Sequence, residues 1–195
     1  MPSPLRMRSV ADLVALLRSG AGLVSDDEAV DELSHALQTA GQALQGGADG
    51  ELVVAAALHD VGRYPPVQAR YPGLAHEEAG ARFCRELFGE RVGWLVGAHV
   101  AAKRYLVVTD RRYAALLSPA SVASLSVQGG GLNPAEVEAF GAHPWAWDAV
   151  ALRRWDDLAK VPGAPAPPLE RLVPLFELLG SFGAGRARRR PRADY

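Results

Sequence analysis

The stretch ELVVAAALHDVG, residues 51–62, decides the fold that we predict for this chain. From Glu51 to His59 it is almost continuously apolar, and periodicity alone does not distinguish a buried helix from a buried strand in so short a run. Its consecutive alanines favour a helix, because alanine has the highest intrinsic helix propensity. Gly62 and the Pro65-Pro66 pair then interrupt the run. We therefore predict a buried helix that ends at the polar pair His59-Asp60.

On both sides of this run, apolar residues recur at the spacing of amphipathic helices. Ser118-Pro119 and Asn133-Pro134 each place a capping residue before a proline at the first helical position. We expect Ser25 to cap the helix that carries His35, and a polar turn at Thr109–Arg112. Because the sequence has no alternating strand pairs and no strong hairpin signals, the predicted fold is an all-α helical bundle. Its helices lie at about 10–17, 30–44, 51–59, 76–88, 93–106, from 119, from 134, 147–160 and 169–179.

Length and charge limit the organisation and the partners. A chain of 195 residues fits one domain, which we place at 1–182, followed by a basic, disordered tail at 183–195. The net charge of -1 gives no global field that would attract nucleic acid or an anionic membrane, and no apolar run is long enough to cross a bilayer. Cys84 is the single cysteine, so a reducing, cytoplasmic compartment is predicted. The oligomeric state is left open.

Four of the five histidines lie on separate predicted helices or helix ends: His35, His59, His76 and His99. One histidine in an apolar helix is usually a hydrogen-bonded core residue, but four together indicate a metal site. Neighbouring side chains at a helix end diverge by roughly 100°, so His59 can bind one ion while the Asp60 carboxylate reaches a second. A carboxylate can bridge two ions about 3.5–4 Å apart. Imidazole and carboxylate without thiolate suit iron, manganese or zinc.

Six sequence blocks together resemble a known superfamily. They are LSHALQTA (33–40), ALHDVG (57–62), LAHEEAGARF (74–83), HVAAKRYL (99–106), LSPASVASLSVQGG (117–130) and RRWDDLAK (153–160). The set is similar to the HD-domain superfamily, and within it to the mixed-valence di-iron oxygenases that cleave phosphonates, relatives of myo-inositol oxygenase. The resemblance covers about residues 28–160. It implies an HD-domain helical bundle with its metal core in that range.

The resemblance also implies a ligand set for two iron ions in the mixed-valence Fe(II)/Fe(III) state. One iron is bound by His35, His59, Asp60 and Asp156, and Asp60 bridges to a second iron held by His76 and His99, which makes Asp60, His76 and His99 the catalytic residues. The match places the late ligand at Asp156. From the residues alone, the adjacent Asp157 is an equal candidate.

Three further residues are predicted to bind an anionic substrate. Lys103 follows His99 by four residues and Arg153 precedes Asp156 by three, so each shares a helix face with a predicted ligand. Ser121 lies in the first turn of its helix, where free backbone N–H groups and the helix dipole favour an anion. The resemblance implies that Lys103, Ser121 and Arg153 hold the phosphonate oxygens.

Three positions near the predicted metal core bear on substrate specificity. By resemblance, Glu28 matches a residue that contacts the amino group of an aminated substrate. The chain departs from the related phosphonate enzymes at Ser25, where they tend to have a gating tyrosine, and at Arg63, where they can carry a histidine. Both departures indicate a differently decorated substrate.

The function implied by the resemblance is an iron-dependent oxygenase, with dioxygen as co-substrate, that cleaves the C–P bond of a small 1-hydroxyalkylphosphonate and releases phosphate. The alternative is a metal-dependent HD phosphohydrolase that acts on a phosphate ester or a nucleotide. Metal identity and oxygen uptake distinguish the two.

Overall fold

A computed structural model describes residues 5–25 and 29–183 of the chain. In these ranges it forms α-helices, two single 3-10 turns (Val61–Arg63 and Leu169–Arg171) and no strand, which confirms the all-α prediction. The helices are α1 Val10–Arg18, α2 Glu32–Gln45, α3 Gly50–Leu58, α4 Pro65–Arg70, α5 His76–Phe88, α6 Glu90–Thr109, α7 Arg111–Leu116, α8 Pro119–Val127, α9 Pro134–Gly141, α10 Ala146–Leu158 and α11 Val173–Leu179.

Helix α3 lies at the centre of the bundle. Every residue from Leu52 to Leu58 is buried, which explains why this segment is apolar on all sides. Helices α2, α5, α6 and α10 pack around it and against one another, and α11 covers it from the remaining side. The five central helices α2, α3, α5, α6 and α10 therefore bring their inward faces together, including the four histidines that the sequence analysis singled out.

Several helix ends follow from local chemistry. The Ser118 hydroxyl accepts a hydrogen bond from the Ser121 N–H, and Asn133 forms a capping box with Glu136. Both predicted helix starts are confirmed. The expectation for Ser25 is wrong, because Asp31 caps α2 and accepts hydrogen bonds from the N–H groups of Ser34 and Gly22.

Two short helices replace segments that we expected to be irregular. Pro65-Pro66 does interrupt the preceding run, but Pro65 also begins α4 at a position where its missing N–H costs nothing. The polar turn expected at Thr109–Arg112 is limited to Asp110, whose carboxylate caps α7 through the N–H groups of Arg112 and Tyr113. Tyr113 is buried, so tertiary packing stabilises a helix too short to be predicted from its sequence.

Gly62 sets the approach between the end of α3 and the start of α5. A Cβ atom at Gly62 would lie 1.9 Å from the carbonyl oxygen of His76 and 2.9 Å from the backbone nitrogen of Gly80. Backbone atoms cannot move aside as a flexible side chain can, so only glycine fits here. This close approach holds Asp60 beside His76.

Some expectations fall outside the described residues. Glu28 is among them, and so is the predicted tail except for Gly183. Cys84 is fully buried, as expected for a packing thiol. None of the helices in the described ranges has the length and apolar composition needed to span a membrane.

Candidate metal centre

The four histidines come from four different helices and meet in the middle of the bundle. His35 lies in the first turn of α2, His59 is the C-cap residue of α3, His76 begins α5 and His99 lies near the middle of α6. Their rings form a chain of close neighbours, with centroids 4.9 Å apart for His35 and His59 and 5.3 Å apart for His59 and His99 and for His76 and His99. The packing of the helices thus gathers residues that are up to 64 positions apart in the sequence.

The Nδ1 atom of each ring is held from outside the centre. Three of them lie at hydrogen-bond distance from a backbone carbonyl oxygen: His35 from Ala159 (2.9 Å), His59 from Ala56 (2.9 Å) and His99 from Val96 (2.6 Å). The fourth, on His76, lies 3.1 Å from the Glu77 carboxylate. Because these oxygens only accept, Nδ1 carries the proton and donates. Such contacts fix the tautomer and the ring orientation of histidines that bind metals.

The Nε2 atoms consequently all face inward and approach in pairs. Nε2 of His35 lies 3.1 Å from Nε2 of His59, and Nε2 of His76 lies 3.3 Å from Nε2 of His99. Two unprotonated ring nitrogens at such distances present lone pairs to each other, which is unfavourable unless a proton or a cation lies between them. Each pair therefore has the donor arrangement of a metal site.

Asp60 connects the two pairs. Its Oδ1 lies 3.3 Å from Nε2 of His76 and 3.5 Å from Nε2 of His99, while its Oδ2 lies 3.6 Å from Nε2 of His59 and 3.8 Å from Nε2 of His35. Each oxygen thus faces one histidine pair. This is the geometry that a carboxylate needs to bridge two ions.

Asp156 completes the group that contains His35 and His59. Its Oδ1 lies 3.2 Å from Nε2 of His35 and its Oδ2 lies 3.7 Å from Nε2 of His59. The centre then consists of two groups of three potential ligands whose donor atoms lie within 4.8 Å of one another: His35, His59 and Asp156, and Asp60, His76 and His99. These residues fit metal ions, because the donors are nitrogen-rich and the buried Asp60 Oδ1 has no hydrogen bond of good geometry, although Arg63 Nε and His76 Nε2 lie close to it.

The charges in the centre are strongly coupled. Burial disfavours the charged form of His59, but the carboxylates of Asp60 and Asp156 outweigh it and raise the pKa of His59 to about 9. At His99 burial dominates and holds the pKa of the imidazole well below its usual value. Burial opposes ionisation of Asp60 as well, yet Arg63 and His59 hold the pKa of its carboxyl well below the usual range. In the absence of a metal, His59 therefore holds a proton where a cation would bind.

A small pocket opens beside the two groups, and the three predicted anion-binding residues lie in its wall. Lys103 is 2% exposed and donates from Nζ to the Ser124 hydroxyl (2.7 Å), and Arg153 is 4% exposed. Ser121 is also buried, but its backbone N–H is bound to the Ser118 hydroxyl. Of the two hydrogen-bond donors of Ser121, the hydroxyl is therefore the one that remains for a ligand.

Comparisons with known proteins identify the family of this chain. A family model described as the HD domain matches residues 33–122. The chain is 41% identical over 150 residues to the hydroxymethylphosphonate dioxygenase of Gimesia maris, covering 74% of this chain and 75% of the relative. It is 35% identical over 159 residues to the 1-hydroxy-2-(trimethylamino)ethylphosphonate dioxygenase (glycine-betaine-forming) of Leisingera caerulea, covering 77% and 79%. This chain belongs to the HD-domain phosphonate dioxygenase family. An uncharacterized protein of Acanthamoeba polyphaga mimivirus is 27% identical over 171 residues.

In this HD-domain dioxygenase, the two adjacent aspartates of α10 have different surroundings. Asp156 is 3% exposed and faces His35 and His59. Asp157 accepts hydrogen bonds from Tyr113 and Arg153 instead, so it lies on the side of the helix that faces Tyr113. A turn of about 100° per residue makes this separation unavoidable.

Ser25 and Arg63, the two positions at which we expect a departure from the related phosphonate enzymes, both line the same pocket. Nε of Arg63 lies 3.1 Å from Oδ1 of Asp60, next to the group of His76 and His99. Ser25 is the last residue of the described range 5–25. Its side chain forms a hydrogen bond with the Glu32 carboxyl. Both residues are therefore part of the pocket wall.

Several residues that line the pocket of this dioxygenase were not predicted from the sequence: Glu32, Ser124, Gln128 and Lys160. Glu32 is 5% exposed, and burial and the nearby Asp60 raise the pKa of its carboxyl. Helical spacing contains the signal for three of them, because Glu32 precedes His35 by three residues, Ser124 follows Ser121 by three and Lys160 follows Asp156 by four.

Proposed function

We propose that this HD-domain dioxygenase cleaves the C–P bond of a small 1-hydroxyalkylphosphonate. The reaction consumes one dioxygen and gives a carboxylate, inorganic phosphate and one proton. Both oxygen atoms enter the products, and the substrate carbon supplies the electrons, so no external reductant is required. The two relatives named as dioxygenases act on hydroxymethylphosphonate and on a trimethylammonium hydroxyalkylphosphonate, which supports this class of substrate.

Two iron ions are the proposed cofactors, in the mixed-valence Fe(II)/Fe(III) state. His35, His59 and Asp156 would hold one ion, His76 and His99 the other, and Asp60 would bridge them. When bound, the pair supplies redox chemistry toward dioxygen, which no side chain of the centre can provide. The group of His76 and His99 has fewer protein ligands, which leaves coordination positions for exogenous ligands. Asp60, His76 and His99 are accordingly the proposed catalytic residues.

The observation that carries the proposal is that the histidine and aspartate centre and two buried cations, Lys103 and Arg153, line one pocket. A buried cation is costly unless it is paired. Arg153 is paired with Asp156 and Asp157, whereas Lys103 donates to the neutral Ser124 hydroxyl, so a phosphonate with up to two negative charges would supply the charge that Lys103 lacks. Ser121 adds a neutral donor. The phosphonate would thus bind to protein cations while its hydroxyl carbon lies toward the metal centre.

The reaction is tested with anaerobically purified protein, by metal analysis and electron paramagnetic resonance, followed by assays with hydroxymethylphosphonate and 1-hydroxy-2-(trimethylamino)ethylphosphonate. We expect about two iron ions per chain and equal amounts of dioxygen consumed and phosphate released with at least one substrate. Phosphate release from a phosphate ester without oxygen uptake would instead establish the hydrolase alternative. A centre that is active with magnesium alone would contradict the assignment of iron.

Lys103→Ala is expected to keep both metal ions and to weaken phosphonate binding by about 10- to 100-fold, since a charge-assisted hydrogen bond contributes roughly 1.5–3 kcal/mol. Arg111→Ala is the matched control, because it removes the same charge from an exposed position. Titration of the iron spectrum with hydroxymethylphosphonate measures the dissociation constant. Equal constants for the two variants would remove Lys103 from the phosphonate site.

Lys103 should also make the affinity for phosphonate depend on pH. Burial, followed by the nearby Arg153, lowers the pKa of Lys103 to about 8. The charged form, which binds the anion, is present below this pKa and is lost above it. The affinity of the parent protein for phosphonate should therefore fall as the pH rises through about 8, and the Lys103→Ala variant should lack this transition.

A further inference from the structure

From the residues alone, Asp157 was the alternative to Asp156 as a metal ligand. In the structure, Asp157 has a different environment from Asp156. The Tyr113 hydroxyl donates to Asp157 Oδ2 at 2.7 Å, and Nε of Arg153 donates to the same oxygen at 3.0 Å. The Nη2 group of Arg153 binds the other oxygen, Oδ1. The carboxylate therefore holds the guanidinium with two oxygens, a rigid and planar arrangement.

Arg153 in turn binds the adjacent aspartate. Its Nη1 lies 2.6 Å from Asp156 Oδ2, and its Nε also lies 3.1 Å from the Tyr113 hydroxyl. Arg153, Asp156 and Tyr113 are all less than a tenth exposed, so water does not compete for these contacts. Because the guanidinium is planar and stiff, fixing its Asp157 side also fixes the side that faces Asp156 and the pocket.

We propose that Asp157 and Tyr113 form a positioning clamp that acts through Arg153. The clamp has two effects on the site. It holds Asp156 in the orientation in which its carboxylate faces His35 and His59, and it keeps the Arg153 guanidinium at the pocket wall. Part of the Arg153 charge is neutralised by Asp157, which leaves Asp156 a stronger donor to a metal ion than it would be in an isolated pair.

The clamp also joins α10, which lines the pocket, to α7, which precedes the pocket helix α8. Tyr113 belongs to α7, which is connected directly to α8 through Leu117 and Ser118. A second contact, between Arg154 Nη2 and Asp110 Oδ2 at 2.8 Å, binds the start of α7 to α10. The position of α8, with Ser121 and Ser124, is therefore tied to that of Arg153. This inference rests on the proposed function, in which Asp156 binds iron and Arg153 binds the phosphonate.

The test compares Asp157→Asn and Tyr113→Phe with Asp148→Asn in the iron-loaded protein. Asp148 lies on the same helix and also pairs with an arginine, Arg91 at 2.9 Å, but away from the pocket. Each variant is challenged with a chelator while iron release is followed, and its iron spectrum is titrated with hydroxymethylphosphonate. Melting temperatures are measured in parallel.

We expect Asp157→Asn to weaken phosphonate binding by about 10- to 100-fold and to release one of the two ions faster, since an amide nitrogen replaces an acceptor of Arg153. Tyr113→Phe removes one hydrogen bond and should weaken phosphonate binding by about 3- to 10-fold, with both ions retained. Asp148→Asn should leave both measurements at the parent values. If Asp157→Asn does not fold, Tyr113→Phe still tests the clamp.

The proposal is overturned if Asp157→Asn and Tyr113→Phe change only the melting temperature and match Asp148→Asn in iron release and phosphonate binding. A different result would show that the proposed function is wrong. In that case the parent protein itself would not bind hydroxymethylphosphonate, whereas the chelator experiment would still report on the support of Asp156.

Discussion

Asp60→Ala is expected to lose both metal ions, from about two per chain to near zero, and with them all oxygen consumption. The reason is geometric: Oδ1 of Asp60 faces His76 and His99 while Oδ2 faces His35 and His59. Its removal takes a negatively charged donor from both groups at once. Metal analysis of protein purified with excess iron, together with an oxygen electrode, measures the effect.

Asp148→Ala serves as the control for Asp60→Ala, because it removes an aspartate that pairs with Arg91 at a distance from the pocket. We expect it to keep the metal content and the turnover of the parent. An Asp60→Ala variant that retains one tightly bound iron and normal turnover would show that the two ions do not share this carboxylate.

Asp156→Ala is expected to lose the ion held by His35 and His59, so that about one ion per chain remains. The other group keeps its ligands, because the side chains that Asp156 approaches, His35 and His59, both belong to the first group. The coupled spectrum of a mixed-valence pair should therefore be replaced by that of a single ion, and oxygen consumption should stop. Electron paramagnetic resonance and metal analysis on the same sample test both statements.

The adjacent Asp157→Ala variant provides the comparison for Asp156→Ala. It should retain more metal, because Asp157 acts on the centre only through Arg153. Equal metal content in the two variants would remove the distinction between the aspartates, and the reverse order would identify Asp157 as the ligand.

The pH dependence of metal binding in the parent protein follows from the charges around His59. With no ion bound, the carboxylates of Asp60 and Asp156 outweigh burial and raise the pKa of His59 to about 9. A metal must displace this proton, so acid favours the metal-free centre.

Local chemistry made much of the fold predictable from the sequence. The caps at Ser118 and Asn133 each involve residues no more than three positions apart, so they can be predicted from the local sequence. The continuous apolar run of α3 likewise indicates by itself that this helix is buried. The six blocks that resemble the HD-domain oxygenases were likewise readable as sequence, and the relatives confirm that resemblance. The short helices α4 and α7 were not predicted, because packing and not propensity stabilises them.

By itself, the sequence determined the fold class, the family and the set of histidines and aspartates from which a metal centre can be built. Only the tertiary structure showed that Asp156 and Asp157 have different surroundings. It also placed Glu32 and Lys160 in the pocket wall and showed why position 62 must be glycine. The physical reason is that residue type and helical spacing are local properties. The direction in which a side chain points, and the atoms that it meets, depend on how α2, α3, α5, α6 and α10 pack together.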